Sequence, residues 1–203
     1  MLHKKVIFRK ILVIISISIL GLKTTIAEDF SSLPKNIQEY LINNNPYVRS
    51  NVSTDKDTQS FSFFASGLHH QPCTQALKTI GHYENYQNII GFVDKSTYQN
   101  ERINLSLSSS FLPFDMILNF KIPRIYKVGE YPFIFDNGFL LNLTGKVIVK
   151  NFTNHKKYKC YIAMTAAWQG KKTKIPDYIF EIFTKTIGEI GISKLFRVSG
   201  HRF

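Results

Sequence analysis

The sequence predicts an α+β domain in which a curved antiparallel sheet of about seven strands is covered by one long C-terminal helix. Between residues 60 and 168, apolar and polar residues alternate in several short runs, with the period of two that half-buried strands show. Two short helical patterns follow the first run, at residues 73–89. From residue 178 to about residue 196 the apolar residues recur at helical spacing instead. This element order favours a sheet with one face against a covering helix.

The last alternating run leads directly into the helix. Residues 158–168 place a set of apolar side chains on one face of a strand, namely Cys160, Ile162, Met164, Ala166 and Trp168. Pro176 suits a first helical turn, where its missing N–H costs little, and Asp177 suits the positive helix N-terminus. The apolar stripe of the helix is predicted to consist of Ile179, Ile182, Phe183, Thr186, Ile187, Ile190 and Leu195.

Earlier runs predict the rest of the sheet. Asn137-Gly138 is a strong hairpin signal between two of them. Because only one face of each strand is apolar, we expect the sheet to be wet outside and covered by the helix inside. The predicted strands cover residues 60–68, 91–99, 102–110, 116–122, 131–136 and 141–150.

The N-terminal segment has the features of a secretory signal peptide. Four basic residues precede an apolar run at residues 11–22, which is too short to span a bilayer comfortably. Thr25 and Ala27 place small residues at positions −3 and −1 of a cleavage site. We therefore expect residues 1–27 to be removed and the protein to be exported, to the periplasm or outside the cell. An uncleaved membrane anchor is the alternative.

The remaining chain divides into a polar lead-in at residues 28–57, a domain at residues 58–198 and a short tail at residues 199–203. Within the lead-in, residues 32–42 can form a short helix. Residues 1–27 contain five of the 26 lysines and arginines and none of the 14 acidic residues. With histidine counted as neutral, the exported chain would therefore carry a formal net charge of +7. This moderate excess favours anionic surfaces and does not indicate nucleic acid as a partner.

Residues with reactive side chains form few patterns. The two cysteines, Cys73 and Cys160, could form a disulfide in an exported protein or stay as separate buried thiols. His69 and His70 precede Cys73 at a spacing that matches no zinc site, and no phosphate-binding loop or hydrolase motif is present. We predict no catalytic residue, no metal site and no cofactor. Arg102 and Arg124 stand at strand ends, where each could face a ligand headgroup or the solvent.

The order of elements resembles the START-like superfamily, also called polyketide cyclase or SRPBCC, with its helix-grip fold. The resemblance covers roughly residues 61–196. Its clearest part looks like that family's last strand, Gly-containing loop, Ile-Pro pair and aromatic helix start, and reads Tyr161-Ile-Ala-Met-Thr-Ala-Ala-Trp-Gln-Gly-Lys-Lys-Thr-Lys-Ile-Pro-Asp-Tyr-Ile-Phe. The resemblance implies a cavity between the sheet and the C-terminal helix that holds a hydrophobic ligand.

The resemblance also implies that the first and last strands are antiparallel neighbours. Cys160 would then begin the last strand close to the end of the first strand, a few residues before Cys73. A Cys73–Cys160 disulfide is therefore expected, provided that the Cα atoms come within about 4.4–6.8 Å.

Apolar faces supply the predicted cavity lining, although some of these residues could simply fill a core. Small residues such as Gly145, Ala163 and Ala166, together with Gly188 and Gly191 on the helix, leave room for a cavity. Replacing both helical glycines by alanine is expected to stabilise the domain, because each costs a helix roughly 1 kcal/mol. The predicted lining residues are Phe61, Phe63, Leu105, Leu107, Met116, Leu118, Phe120, Leu143, Ile162, Met164, Trp168, Ile179, Phe183 and Ile187.

Three functions remain open from the sequence. The first is an exported START-like domain that binds a lipid, a quinone or an aromatic metabolite, with Lys171, Lys172 and Lys174 beside the cavity mouth as a rim for transient contact with an anionic membrane. The second is a cyclase-type enzyme, which requires polar side chains with shifted pKa values inside the cavity. The third is a ligand-free module that binds protein or an envelope polymer through an exposed patch.

Overall fold

The computed structural model describes residues 29–43, 45–108, 115–153 and 155–200. The predicted signal peptide at residues 1–27 and the last residues of the tail, 201–203, lie outside the described residues. None of the helices within the described ranges combines the length and the hydrophobicity that crossing a membrane requires.

In the described part of the chain, eight strands form a single antiparallel sheet in the order β1-β2-β8-β7-β6-β5-β4-β3. A long C-terminal helix lies on one face, which confirms the predicted α+β class and matches the helix-grip fold. The strands are β1 (Tyr47–Asp55), β2 (Thr58–His69), β3 (Val93–Gln99), β4 (Arg102–Leu107), β5 (Met116–Lys121), β6 (Gly129–Gly138), β7 (Thr144–Asn151) and β8 (Cys160–Lys171). The helices are α1 (Lys35–Ile42), α2 (Cys73–Ile80), α3 (Tyr86–Ile89) and α4 (Asp177–Val198), with short 3₁₀ turns at Phe30–Ser32 and Tyr83–Asn85.

The strand missing from the predicted seven is β1, at the edge of the sheet. Residues 28–57 were predicted to be a polar lead-in, but Tyr47–Asp55 pairs with β2 along its whole length. Val48 and Val52 are the only clearly apolar buried residues of β1, and the buried position between them is Ser50. A run with so few apolar residues lacks the alternation that identifies a half-buried strand.

The outer face of the sheet, which points away from α4, is only partly exposed to solvent. On β3 to β6 it carries exposed or half-buried and mostly polar residues, as expected. On β2, β7 and β8 it is covered by α1 and the segment before it, through Leu33 and Leu41. The buried sheet residues under this cover are Phe64, Leu68, Ile148, Tyr161 and Ala163, joined by Tyr158 from the loop before β8. The lead-in therefore supplies a second hydrophobic core.

α4 packs mainly on β1 and β2, and its buried face differs from the predicted stripe. Phe180, Phe183 and Thr184 are buried, whereas Ile182 is 62% exposed. The prediction failed here because apolar residues occur around most of the helix circumference, so their spacing does not define one face. At Gly188 the helix packs closely against the ring of Phe63 on β2, because an added Cβ would lie 2.7 Å from Cζ of Phe63.

Hydrogen bonds hold α4 to the edge of the sheet along its length. At its start, the Asp177 carboxylate accepts hydrogen bonds from the side chains of Thr54 and Gln59, both at 2.7 Å. These bonds hold the pKa of Asp177 below its usual range. In the middle, the hydroxyls of Ser50 and Thr184 are 2.7 Å apart.

The C-terminal end of α4 is held by a buried histidine on β2. Nε2 of His69 lies 2.9 Å from the Ser199 hydroxyl, and Nδ1 of His69 accepts the backbone N–H of Gln71 at 3.0 Å. Since Nδ1 acts as an acceptor, the ring is neutral with its proton on Nε2. Burial lowers the pKa of His69 below its ordinary value of 6.5, and neighbouring His70 acts in the same direction.

A disulfide joins Cys73, at the start of α2, to Cys160, at the start of β8, with Cα atoms 4.9 Å apart. This confirms the pairing that the resemblance implied. Both residues are fully buried, and β8 pairs with β2 as expected for neighbouring strands. The bond fixes the helical segment after β2 against the centre of the sheet.

Removing the disulfide should destabilise the domain strongly. The closed loop spans a sequence separation of 87 residues, so a Cys73→Ala/Cys160→Ala variant should lose roughly 2–5 kcal/mol of unfolding free energy. Urea unfolding of wild type and variant would measure this. A reducing agent should lower the stability of the wild type and leave the variant unchanged; equal stability of both proteins would contradict a structural role for the bond.

As the pH is lowered, His69 should become protonated, and its hydrogen bonds weakened, before the carboxylates become protonated. The pKa of His69 is lower in the folded state than its ordinary value of 6.5, so the unfolded chain binds more protons as the pH falls below that value, and stability decreases. Unfolding free energies measured on either side of pH 6.5 should differ in the wild type and differ less in His69→Gln. An equal pH dependence in both proteins would show that His69 does not titrate as expected.

An apolar cavity between the sheet and the C-terminal helix

A cavity of about 350 Å³ lies between the inner face of the sheet and α4. Since α4 lies over β1 and β2, strands β3 to β7 are not covered by it to the same extent. The segment from α2 to α3 covers part of the inner face that α4 leaves uncovered, and it contributes Ile80, Tyr83 and Tyr86 to the cavity wall. The cavity is thus a consequence of a helix that is held at one edge of a wide sheet.

Most of the predicted lining residues lie at the cavity wall. These twelve are Phe61, Phe63, Leu105, Leu107, Met116, Leu118, Phe120, Leu143, Ile162, Met164, Phe183 and Ile187. Whether they contact a ligand stays a prediction. The strand residues among them could be selected from the sequence because alternate side chains of a strand share one face.

Trp168 and Ile179 were also predicted to line the cavity, and the structure places them elsewhere. The Trp168 indole is half-buried and donates a hydrogen bond to the carbonyl of Leu141 at 3.0 Å. Ile179 is not at the cavity wall, because the part of α4 that faces the cavity begins one turn later, at Phe183. Phe180 is fully buried and also lies outside the wall, so the first turn of the helix packs beyond the cavity.

The structure adds many aromatic residues that the sequence analysis did not select. Phe133 and Phe135 on β6 alternate with exposed residues, so the predicted strand at residues 131–136 already contained a signal for them. The ring of Phe135 stacks on that of Phe120, with centroids 4.9 Å apart. Tyr83, Tyr86 and Phe92 come from the segment between β2 and β3, whose short helices carry too few turns to define a face.

Polar groups at the described cavity wall are already hydrogen-bonded within the protein. The Tyr83 hydroxyl donates to the carbonyl of Pro123 at 3.1 Å, and the Tyr86 hydroxyl donates to the carbonyl of Ile80 at 2.6 Å. Thr184 bonds to Ser50, as described above. Burial raises the pKa of both phenols, so they remain neutral.

No charged side chain occurs at the cavity wall among the described residues. Arg102 instead forms an ion pair with Asp136, and Arg124 forms one with Glu84 while its guanidinium lies 4.4 Å from the ring centroid of Tyr98. These hydrogen bonds lower the pKa of both carboxyl groups. Neither arginine faces a ligand inside the cavity.

The predicted membrane rim lies at the junction of β8 and α4. Lys171, Lys172 and Lys174 are exposed there. The backbone N–H of Lys172 donates to the carbonyl of Asp57 at 2.8 Å, and its charge contributes to the lowered pKa of Asp177. Acidic residues therefore accompany these lysines, and their contact with a membrane stays a prediction. In the described parts of the chain, no three His, Cys, Asp or Glu side chains come together as a metal site would require.

These features define a helix-grip domain with an internal apolar cavity. No family model and no curated protein matches the chain. Among solved structures, an uncharacterized protein from Bacillus thuringiensis is similar with a TM-score of 0.50 and 10% identity, over 68% of this chain and 98% of that one.

Two further structures show weaker similarity. The protein XoxI from Bacillus cereus has a TM-score of 0.48 and 11% identity, over 76% of this chain and 94% of that one. The di-domain ARO/CYC StfQ from the steffimycin biosynthetic pathway has a TM-score of 0.49 and 8% identity, over 68% of this chain and 50% of that one. At such low identity, similarity extends to the fold alone.

The two helical glycines should respond in opposite directions to alanine. A Cβ at Gly191 would meet nothing within 4 Å, so Gly191→Ala should raise the unfolding free energy by about 1 kcal/mol through helix propensity. A Cβ at Gly188 would overlap the Phe63 ring, so Gly188→Ala should destabilise. The structure thus changes the expectation that both replacements stabilise. Urea unfolding of the two variants measures the difference, and equal stabilisation would contradict the close contact at Gly188.

Proposed function

We propose that this domain binds a neutral hydrophobic small molecule in the cavity between the sheet and α4. The observation that carries the proposal is the cavity itself, about 350 Å³ with a described wall that is apolar apart from three hydroxyl-bearing residues. Because these hydroxyls bond to the protein, recognition would depend on shape and apolar burial. A charged group of a ligand would have no partner at this wall.

The size of the cavity supports a binding role over plain core packing. An apolar space of about 350 Å³ is too large for an ordinary packing defect, because the voids in a protein interior are rarely larger than a water molecule. A bound apolar molecule would supply the contacts that the lining side chains otherwise lack.

The volume also limits the ligand. It falls at the lower end of the range of small-molecule sites, and it suits one ring system or one acyl or prenyl chain better than a complete two-chain lipid. The many phenylalanine rings of the wall favour planar or unsaturated groups, which can make offset or edge-to-face contacts with them.

Binding fits the described wall better than cyclase-type catalysis. General acid–base chemistry needs groups that titrate near the working pH and reach the substrate. The titratable groups at this wall are Tyr83 and Tyr86, whose pKa values are raised and whose hydroxyls are engaged. We further propose that the protein acts after export, since a structural disulfide fits an oxidising compartment.

Filling the cavity from α4 tests this function directly. Gly191 belongs to the cavity-facing stripe of α4, between Ile187 and Leu195, and has open space around its Cβ direction. In Gly191→Phe the new ring should occupy the cavity and lower the affinity for an apolar fluorescent probe at least about tenfold, which corresponds to ~1.4 kcal/mol. Gly191→Ala is the matched control and should retain binding.

Native mass spectrometry of the purified wild type should show a co-purifying small molecule that Gly191→Phe lacks. Circular dichroism of both variants would establish that the fold is retained. If the wild type carries no ligand and binds the probe no better than Gly191→Phe, the cavity is not a binding site.

A further inference from the structure

Several exposed lysines lie at the end of the sheet where the disulfide is located. The loop between β7 and β8 contains Lys156, Lys157 and Lys159, and the loop before β6 contains Lys127, all exposed. Both loops leave the sheet at the same end, because Gly129 pairs with Val149 and Asn151 pairs with Cys160. We call this region the disulfide-end surface; it consists of Tyr126, Lys127, Val128, Lys156, Lys157 and Lys159.

The acids near this surface are paired with other basic residues or lie at the base of the loop before β6. Glu130 is paired with Lys146 at 3.0 Å, Asp29 with Lys150 at 3.5 Å, and Glu84 with Arg124. The backbone carbonyl of Glu101 accepts the N–H of Ile122, where that loop begins. Among the described residues, none of the four lysines of the disulfide-end surface takes part in an ion pair. The sequence reinforces this, since no acidic residue occurs between Asp136 and Asp177.

The opposite end of the sheet carries a mixture of charges. There the lysines at 171, 172 and 174 lie beside the β1–β2 turn, which contains Asp55 and Asp57, and beside the start of α4 with Asp177. An anionic partner would be attracted less strongly to this end, because the acids offset the lysines over distances shorter than a Debye length.

Apolar side chains are interspersed with the lysines of the disulfide-end surface. Tyr126 is 63% and Val128 is 41% exposed, on either side of Lys127. The ammonium group of Lys127 lies 5.4 Å from the ring centroid of Tyr126. Exposed aromatic and aliphatic groups beside lysines are characteristic of membrane interfaces, where the rings enter the headgroup region and the ammonium groups stay at the phosphates. A soluble polyanion would require only the charges.

The loop that carries Tyr126 is also part of the cavity wall. Ile122 and Ile125 line the cavity, and the hydroxyl of Tyr83 accepts the backbone N–H of Ile125 at 3.3 Å while it donates to the carbonyl of Pro123. The exposed tip of this loop is therefore held in place by a residue of the wall. A surface that contacts the tip comes to lie next to the cavity.

We propose that the disulfide-end surface docks on an anionic lipid bilayer. The lysines bind the lipid phosphates, and Tyr126 and Val128 insert between the headgroups. Docking does not depend on the proposed ligand, since it uses side chains outside the cavity.

Vesicle co-sedimentation tests the proposal with phosphatidylcholine alone and with phosphatidylcholine mixed with phosphatidylglycerol. The wild type should bind the mixed vesicles, bind the neutral ones poorly and be released by salt. Affinity should fall roughly fivefold for each lysine removed, and on the order of a hundredfold in a triple variant. That variant is Lys127→Ser/Lys156→Ser/Lys157→Ser, and its matched control, which removes the same charge from the opposite end, is Lys171→Ser/Lys172→Ser/Lys174→Ser. All proteins carry the same N-terminus, so the comparison is between surfaces.

A second variant, Tyr126→Ser/Val128→Ser, separates a bilayer from a soluble polyanion. It keeps every charge, and it should weaken binding to the mixed vesicles while its binding to heparin equals that of the wild type. Three results would overturn the proposal: no binding of the wild type to anionic vesicles, an equal or larger loss in the control triple variant, or unchanged vesicle binding after the loss of Tyr126 and Val128. No cavity ligand is added to the assay, and none of these variants changes a residue of the cavity wall. A difference in vesicle binding therefore reports on the exposed surfaces, whether or not the cavity is occupied.

Discussion

The position of α4 over one edge of the sheet is the constraint on which the rest of the structure depends. Asp177, Thr184 and Ser199 each hydrogen-bond to β1 or β2, and Gly188 lets the helix approach the ring of Phe63. A helix held there cannot also cover strands β3 to β7. The uncovered inner face then needs a second cover, which the segment from α2 to α3 provides, and the space left between the two covers is the cavity.

The second cover is itself anchored to the sheet. The Cys73–Cys160 disulfide ties the start of α2 to β8, and the hydroxyl of Tyr83 ties the 3₁₀ turn before α3 to the loop between β5 and β6. On the other side of the sheet, α1 and the segment before it bury Tyr158 and Tyr161 in the second hydrophobic core. Strands β2, β7 and β8 are consequently packed on both faces.

Charge and hydrophobicity are separated in this molecule. The described cavity wall has no charged side chain, whereas exposed lysines lie on loops at both ends of the sheet, including Lys127, Lys156, Lys157 and Lys159 at its disulfide end. The proposed apolar binding and the proposed contact with an anionic bilayer would therefore use different residues. Among the described residues, the loop before β6 joins the two regions, because Ile125 belongs to the wall and Tyr126 to the exposed surface.

The sequence by itself determined the α+β class, the strands with strict alternation and most of the predicted cavity-wall residues on them, because a period of two leaves each side chain only one face to occupy. The disulfide also followed once strand order was inferred from the resemblance. Tertiary structure alone decided three features. Strand β1 could not be recognised because polar residues such as Ser50 occupy its buried face, where Thr184 of α4 supplies the hydrogen-bond partner. The rotation of α4 was undetermined because apolar residues surround it, so Ile179 and Phe180 could not be distinguished. The cavity depends on the distances between the sheet and the helices that cover it. No local sequence pattern determines the distance between two apolar faces.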